Sequence, residues 1–150
     1  WYDENYYMIG YDESDGVVKH YRVDKILRLQ ETEAPREGAA LFRDFDMALY
    51  SKKTFGMYGG REETVALRCS NSLAGVVIDR FGADTPFVNL SGTHFEIYVK
   101  VHISPLFFSW LMNFGADIAI LSPDNVRADF VSFAETALGQ YRNALQKETL

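Results

Sequence analysis

The chain has 150 residues, 47% of them hydrophobic and 24% charged, with a net charge of −6. That length suits one ordinary domain or two small ones with a real core, and the composition excludes disorder and low-complexity classes. The acidic balance argues against duplex-DNA binding by bulk phosphate neutralisation, and no apolar run approaches the ~20 residues of a membrane span.

The single Cys69 can form neither an internal disulfide nor, alone, a zinc site, which fits a reducing, cytoplasmic setting. Trp1 reads as a cut end, so a longer protein is expected.

Three parts follow in chain order. In the first, residues 1–36, the aromatic and branched run Asn5 to Tyr11 predicts a strand. Asp12 to Gly16 has hairpin-loop chemistry. A second strand is expected over Val17 to Leu29. Its odd positions (Val17, Tyr21, Val23, Leu27, Leu29) are mostly apolar and are assigned to a core face, with a break at Lys25. Two strands alone are marginal, so this hairpin must pack on something else.

The second part, 37–60, reads as a helical connector through Phe42, Phe45 and Leu49, closed by a Gly59-Gly60 hinge.

The third part, 61–150, gives the clearest pattern. A strand is expected over Glu63 to Cys69, a helix over Asn71 to Phe81, a short strand over Pro86 to Leu90, and a long strand over His94 to Ile103. Ser104-Pro105 opens a helix that ends at Gly115. Asp117 to Leu121 is a strand. Ser122-Pro123 opens a last helix with a stripe of Val126, Phe130, Phe133, Ala137, Tyr141 and Leu145. The order β-α-β-β-α-β plus a helix predicts an α+β, ferredoxin-like domain with an extra C-terminal helix.

No phosphate-binding glycine loop, nucleophile elbow or metal-ligand spacing is present, so no enzyme, metal or cofactor is assigned. Cys69, on an inward strand position, reads as a small core hydrophobe. Lys19, Arg22, Lys25 and Arg28 are opposed within residues 17–30 only by Asp24, and Tyr6, Tyr7, Tyr11 and Tyr21 share the hairpin. Such a set can hold phosphates while rings stack on bases. A solvated strand face with core aromatics is the competing reading, and composition alone favours it. Arg68, Tyr98, Lys100 and His102, with Glu96, are expected on the open face of the rear sheet, a secondary candidate surface.

The run Tyr2 to Tyr11, followed by His20-Tyr21-Arg22-Val23-Asp24-Lys25-Ile26, resembles the second half of a WYL domain. The family's name triplet falls on Tyr6-Tyr7-Met8, and its aromatic-Arg-x-Asp-basic strand on Tyr21 to Lys25. Glu63 to Cys69, Asp79-Arg80-Phe81-Gly82, His94-Phe95 and Phe107 to Trp110 resemble the WCX extension that follows such domains. The chain departs from the pattern at Tyr6 and Met8, which replace the Trp and Leu, and the early WYL strands lie outside it.

The resemblance implies a bacterial transcriptional regulator. It implies a partial SH3- or Sm-like β-barrel as sensor and a ferredoxin-like extension for dimer assembly. Promoter DNA would be bound by a helix-turn-helix N-terminal to this chain. It also implies a nucleotide or single-stranded nucleic-acid effector held by Tyr6, Tyr7, Tyr21, Arg22 and Lys25, with Asp24 orienting the arginine, and a homodimer. The alternative is a small-molecule-binding or assembly module without a nucleic-acid ligand, its apolar pocket lined by Phe107, Phe108 and Trp110.

Overall fold

The computed structural model describes residues 4–43, 46–89 and 91–147. The chain is α+β. It opens on an antiparallel hairpin of β1 (Tyr7–Asp12) and β2 (Val17–Arg22). Gly16, at φ 67°, donates its N–H to the Asp12 carbonyl at 2.8 Å, and the Asp12 carboxylate accepts from the Ser14 N–H at 3.0 Å. This is the turn chemistry expected of the polar run.

Strand β2 is shorter than the alternation predicts. It ends at Arg22, and Val23–Lys25 form a 3-10 turn. The partner strand explains this. β1 begins at Tyr7, opposite Arg22, and the Val23 N–H then bonds the Tyr6 carbonyl at 2.9 Å. Among the described residues no strand continues the ladder beyond that point. Leu27 and Leu29, expected in a core, are 100% and 84% exposed.

The expected face assignment also reverses. Directly opposed residues share a face, so Tyr7, Ile9 and Tyr11 lie with Arg22, His20 and Val18, and all six are half-buried. Met8, Val17 and Tyr21 lie on the other, more exposed face. That face also carries a network around Asp12, which accepts from Lys19 Nζ at 2.8 Å and Tyr21 Oη at 2.9 Å. The charged network favours solvent, and the pair Val18 and Ile9 favours the inner side. Among the described residues the hairpin remains a two-stranded sheet, with no closed barrel.

In the connector, a 3-10 turn spans Ala39–Phe42 and helix α1 spans Met47–Lys53. Phe45 lies outside the described residues. The connector is anchored by Phe55, which is buried with ring centroids 5.2 Å from Phe107 and 5.4 Å from Trp110. The Arg80 guanidinium sits 3.8 Å over the Phe55 ring while its Nη2 donates to the Thr54 carbonyl at 3.0 Å. At Gly60 the backbone passes so close to the segment after His102 that a Cβ would stand 2.1 Å from the Ile103 carbonyl oxygen.

The rear module is a four-stranded antiparallel sheet of order β4-β5-β3-β6, built from β3 (Glu62–Ser70), β4 (Val88–Asn89), β5 (His94–His102) and β6 (Ile118–Ser122). Helix α2 (Ala74–Phe81) joins β3 to β4, and α3 (Pro105–Met112) joins β5 to β6. This is the strand order that two crossovers impose on a β-α-β-β-α-β chain. β4 is shorter than expected, and Leu90 lies outside the described residues. Val65 faces Val99, Leu67 faces Ile97 and Cys69 faces Phe95 across the two central strands, all buried. Leu73 and Val77 at α2 and Phe107, Phe108 and Leu111 on α3 join the same core. Fully burying a side chain of this kind stabilises by about 1.5–3 kcal/mol.

The Ser104 side chain caps α3, accepting from the Phe107 N–H at 3.2 Å, with Pro105 at the first helical position. The apolar pocket expected at Phe107, Phe108 and Trp110 is a packed aromatic core. Phe107 and Phe108 are buried, and Trp110 stacks edge-on against Phe81 at 5.6 Å and Phe114 at 5.0 Å.

Helix α4 (Asp124–Lys147) closes the chain. Val126 is buried, and Phe130 and Phe133 lean on Phe108 at 5.6 Å each. The expected stripe leaves the core beyond them: Tyr141 is 72% exposed. No helix among the described residues is long and apolar enough to cross a membrane.

Candidate functional site

The hairpin divides the six front residues between its two faces. Tyr7 and Arg22, an opposed pair on the inner face, line a cleft of about 350 Å³ with His20 and the Gly56–Gly59 segment. Tyr21 is on the outer face, its hydroxyl donating to Asp12. Tyr6 is exposed, and Lys25 projects from the 3-10 turn; neither lines the cleft.

Arg22 grips Asp24 through both arms of its fork. Nε donates to Oδ1 at 3.0 Å and Nη2 to Oδ2 at 2.9 Å. These bonds hold the Asp24 carboxyl below its ordinary range, and Lys25 Nζ adds to the effect from 3.9 Å. Lys19 is likewise occupied, by Asp12 and Asp15. The local excess of positive charge expected over residues 17–30 is therefore reduced in space from +3 to +1, because Asp12 and Asp15 join Asp24 against Lys19, Arg22, Lys25 and Arg28. The two added acids come from β1 and the turn, which a count along one strand misses.

The sequence reading passed over His20, Met57 and Tyr58 as cleft residues. The signal for His20 was present, since it lies two positions from Arg22 on one strand face. The other two reach the cleft only through the tertiary path of the connector. His20 Nε2 is buried with no hydrogen-bond partner among the described residues. Its ring lies 5.5 Å from Tyr50, which in turn lies 5.5 Å from His102. Burial first, then the neighbouring His102, pushes the His20 pKa below 6.5. Burial does the same to His102, partly opposed by Glu62.

A larger cavity of about 670 Å³ lies farther along the inner face, between Ile9 and Tyr11 on one side and Arg36, Phe42 and Arg43 on the other. It includes none of the six expected residues.

On the rear sheet, Arg68, Glu96, Tyr98, Lys100 and His102 share the face away from the core, in the register Arg68 to Glu96, Ala66 to Tyr98, Thr64 to Lys100 and Glu62 to His102. They do not form one open surface. His102 is covered by Tyr50 and lies 3.4 Å from the Thr54 hydroxyl. Tyr98 and Lys100 line a separate groove with Lys52 and Lys53, and Arg68 is not part of it. Cys69 is fully buried, and desolvation raises its thiol pKa to about 11, which leaves it a core hydrophobe.

No family model matches the chain, and no curated protein sequence matches it. Among solved structures it is similar to "Proteasome accessory factor B/C (PafBC) of Arthrobacter aurescens". The identity is 23% and the TM-score 0.45, over 93% of this chain and 21% of that one. The chain thus spans about a fifth of the length of that protein, and no residue role is carried over from it.

Proposed function

We propose that this chain is the effector-sensing and assembly portion of a transcriptional regulator, taking a nucleotide or a short single-stranded nucleic acid at the front cleft. One observation carries the reading: Tyr7, His20 and Arg22 converge on a cleft of about 350 Å³, within the size range of small-ligand sites. The WYL-like residue pattern of the same segment supports it. An aromatic ring, a buried nitrogen without a partner and a guanidinium are the groups that would take a base, a polar edge and a phosphate.

Arg22 is not idle in the unliganded chain. A phosphate entering the cleft would replace Asp24 on the guanidinium fork, exchanging one bidentate pair for another. Loss of Arg22 from Asp24 frees the 3-10 turn after β2. That local change is the element through which binding would bias how the hairpin sits on the rear module. DNA binding belongs, in this reading, to a helix-turn-helix outside the chain.

Fluorescence anisotropy with a labelled short single-stranded oligonucleotide at low salt tests the proposal. Saturable binding that weakens at least tenfold in Arg22→Ala is the expected result. No binding, or binding equal in Arg22→Ala, removes the nucleic-acid ligand.

A second reading, assembly alone, draws on α4. Val131 and Leu138 are each 47% exposed, one heptad apart, and Tyr141 stands three residues on. In both readings a second copy of the chain covers that stripe.

A further inference from the structure

We infer that the rear module carries a second, separate binding site: a groove that takes a diphosphate group, at the edge of β5 where β4 stops short. β4 pairs only Val88 with Glu96 and Asn89 with Phe95, so the stretch of β5 from Tyr98 to Lys100 has no strand beside it there. A groove of about 190 Å³ fills the gap, walled by α1 on one side and by Pro86 on the other.

Three lysines line it: Lys52, Lys53 and Lys100. Among the described residues one carboxylate is ion-paired with them. Glu62 accepts from Lys53 at Oε2, 2.8 Å away, and lies 3.3 Å from Lys100 at Oε1. Lys52 has no carboxylate partner among the salt bridges of the described residues. Its Nζ lies against the backbone just past α2, where a Cβ on Gly82 would stand 3.0 Å from it. Three lysines against Glu62, and against the Glu96 carboxylate that accepts from the Tyr98 hydroxyl, still leave the groove a net positive charge in a chain of net −6. A patch of that sign, opposite to the whole molecule, concentrates anions locally.

Size and charge choose the ligand class. The volume is below the roughly 300 Å³ of sites for drug-sized molecules, so the groove itself encloses a compact group, and anything larger must extend out of it. A monocarboxylate would answer only one ammonium. A diphosphate carries enough charge and enough acceptor oxygens for three point-charge donors. Tyr98 and Phe81 supply ring surface at the groove, so the group can belong to free pyrophosphate or to a nucleoside diphosphate whose base lies on Tyr98.

Isothermal titration of the chain with inorganic pyrophosphate and with ADP, at low ionic strength, tests this. Both are expected to bind. Lys52→Glu, at an exposed position with no ion pair to lose, is expected to weaken both at least tenfold. Arg127→Ala, which removes a cation on α4, is expected to leave both unchanged. Tighter binding of ADP that Tyr98→Ala returns to the pyrophosphate level assigns the site to a nucleotide, and equal affinities assign it to the diphosphate alone. Absence of binding by either probe, or equal binding in Lys52→Glu and the unaltered chain, overturns the inference.

Discussion

Arg22 and Asp24 form a bidentate pair at the point where β2 turns into the 3-10 helix, with contacts of 3.0 and 2.9 Å. The same guanidinium lines the front cleft. The pair therefore sits between backbone geometry and access to the cleft, and a phosphate entering there would compete with Asp24 for the fork.

Asp24→Asn removes the competing charge. An exposed pair of this type contributes little to stability. The expected result is tighter binding of a labelled oligonucleotide, by about two- to fivefold, with the melting temperature nearly unchanged. Weaker binding in this variant would mean that Asp24 positions the arginine for its ligand rather than blocking it.

The histidine pair makes stability depend on pH. Burial lowers the pKa of both His20 and His102 below 6.5. Between the folded values and 6.5 the unfolded chain binds more protons, so stability rises with pH. The contribution is complete above about 6.5 and is lost as the pH falls from that value through the lower folded values. Their charged surroundings are Glu62, which favours the proton on His102, and Lys53, which opposes it. The carboxylates held down by ion pairs, Asp24 and Glu62, release their stability only below that window, toward 4. Melting curves at pH 7.5 and 5.5 should differ, and His20→Asn with His102→Asn should flatten the difference. An equal slope in the double variant would assign the effect elsewhere.

Leu67 and Leu27 separate burial from hydrophobicity. Leu67 is fully buried at the centre of β3, and Leu27 is fully exposed. Leu67→Ala should cost about 2–5 kcal/mol, which at about 2–4 °C per kcal/mol lowers the melting temperature by roughly 4–20 °C. Leu27→Ala should stay within about 0.5 kcal/mol. A large loss at Leu27 in the isolated chain would mean that residues 26–29 are covered.

The exposed half of α4 is tested through oligomeric state. The helix is 24 residues long, about 36 Å. Light scattering after size exclusion should give twice the chain mass for the unaltered protein. Leu138→Glu with Tyr141→Ser should give the single-chain mass. If both proteins run as monomers, the stripe is not a self-interface.

The rear module was largely legible in the sequence because its information is local. Period-2 alternation in β3 and β5 placed Val65, Leu67, Cys69, Ile97, Val99 and Val101 on one face, and the buried set agrees. Ser104-Pro105 announced its helix by cap chemistry alone. The front was less legible. Alternation says which residues share a face but not which face is covered, so the inner side of the hairpin was assigned backwards. The length of β2 was misread for a related reason, since a strand ends where its partner ends.

The amino-acid order by itself determined the element sequence, the core of the rear sheet and the presence of Tyr7 and Arg22 on one hairpin. Only the tertiary structure decided that Asp12 and Asp15 cancel Lys19, that His20 and the Gly56–Gly59 segment complete the cleft, and that Lys52, Lys53 and Lys100 meet at one groove. Charge balance and concavity are properties of space. They depend on which distant segments the packed core brings within a few ångströms, and no window along the chain contains that distance.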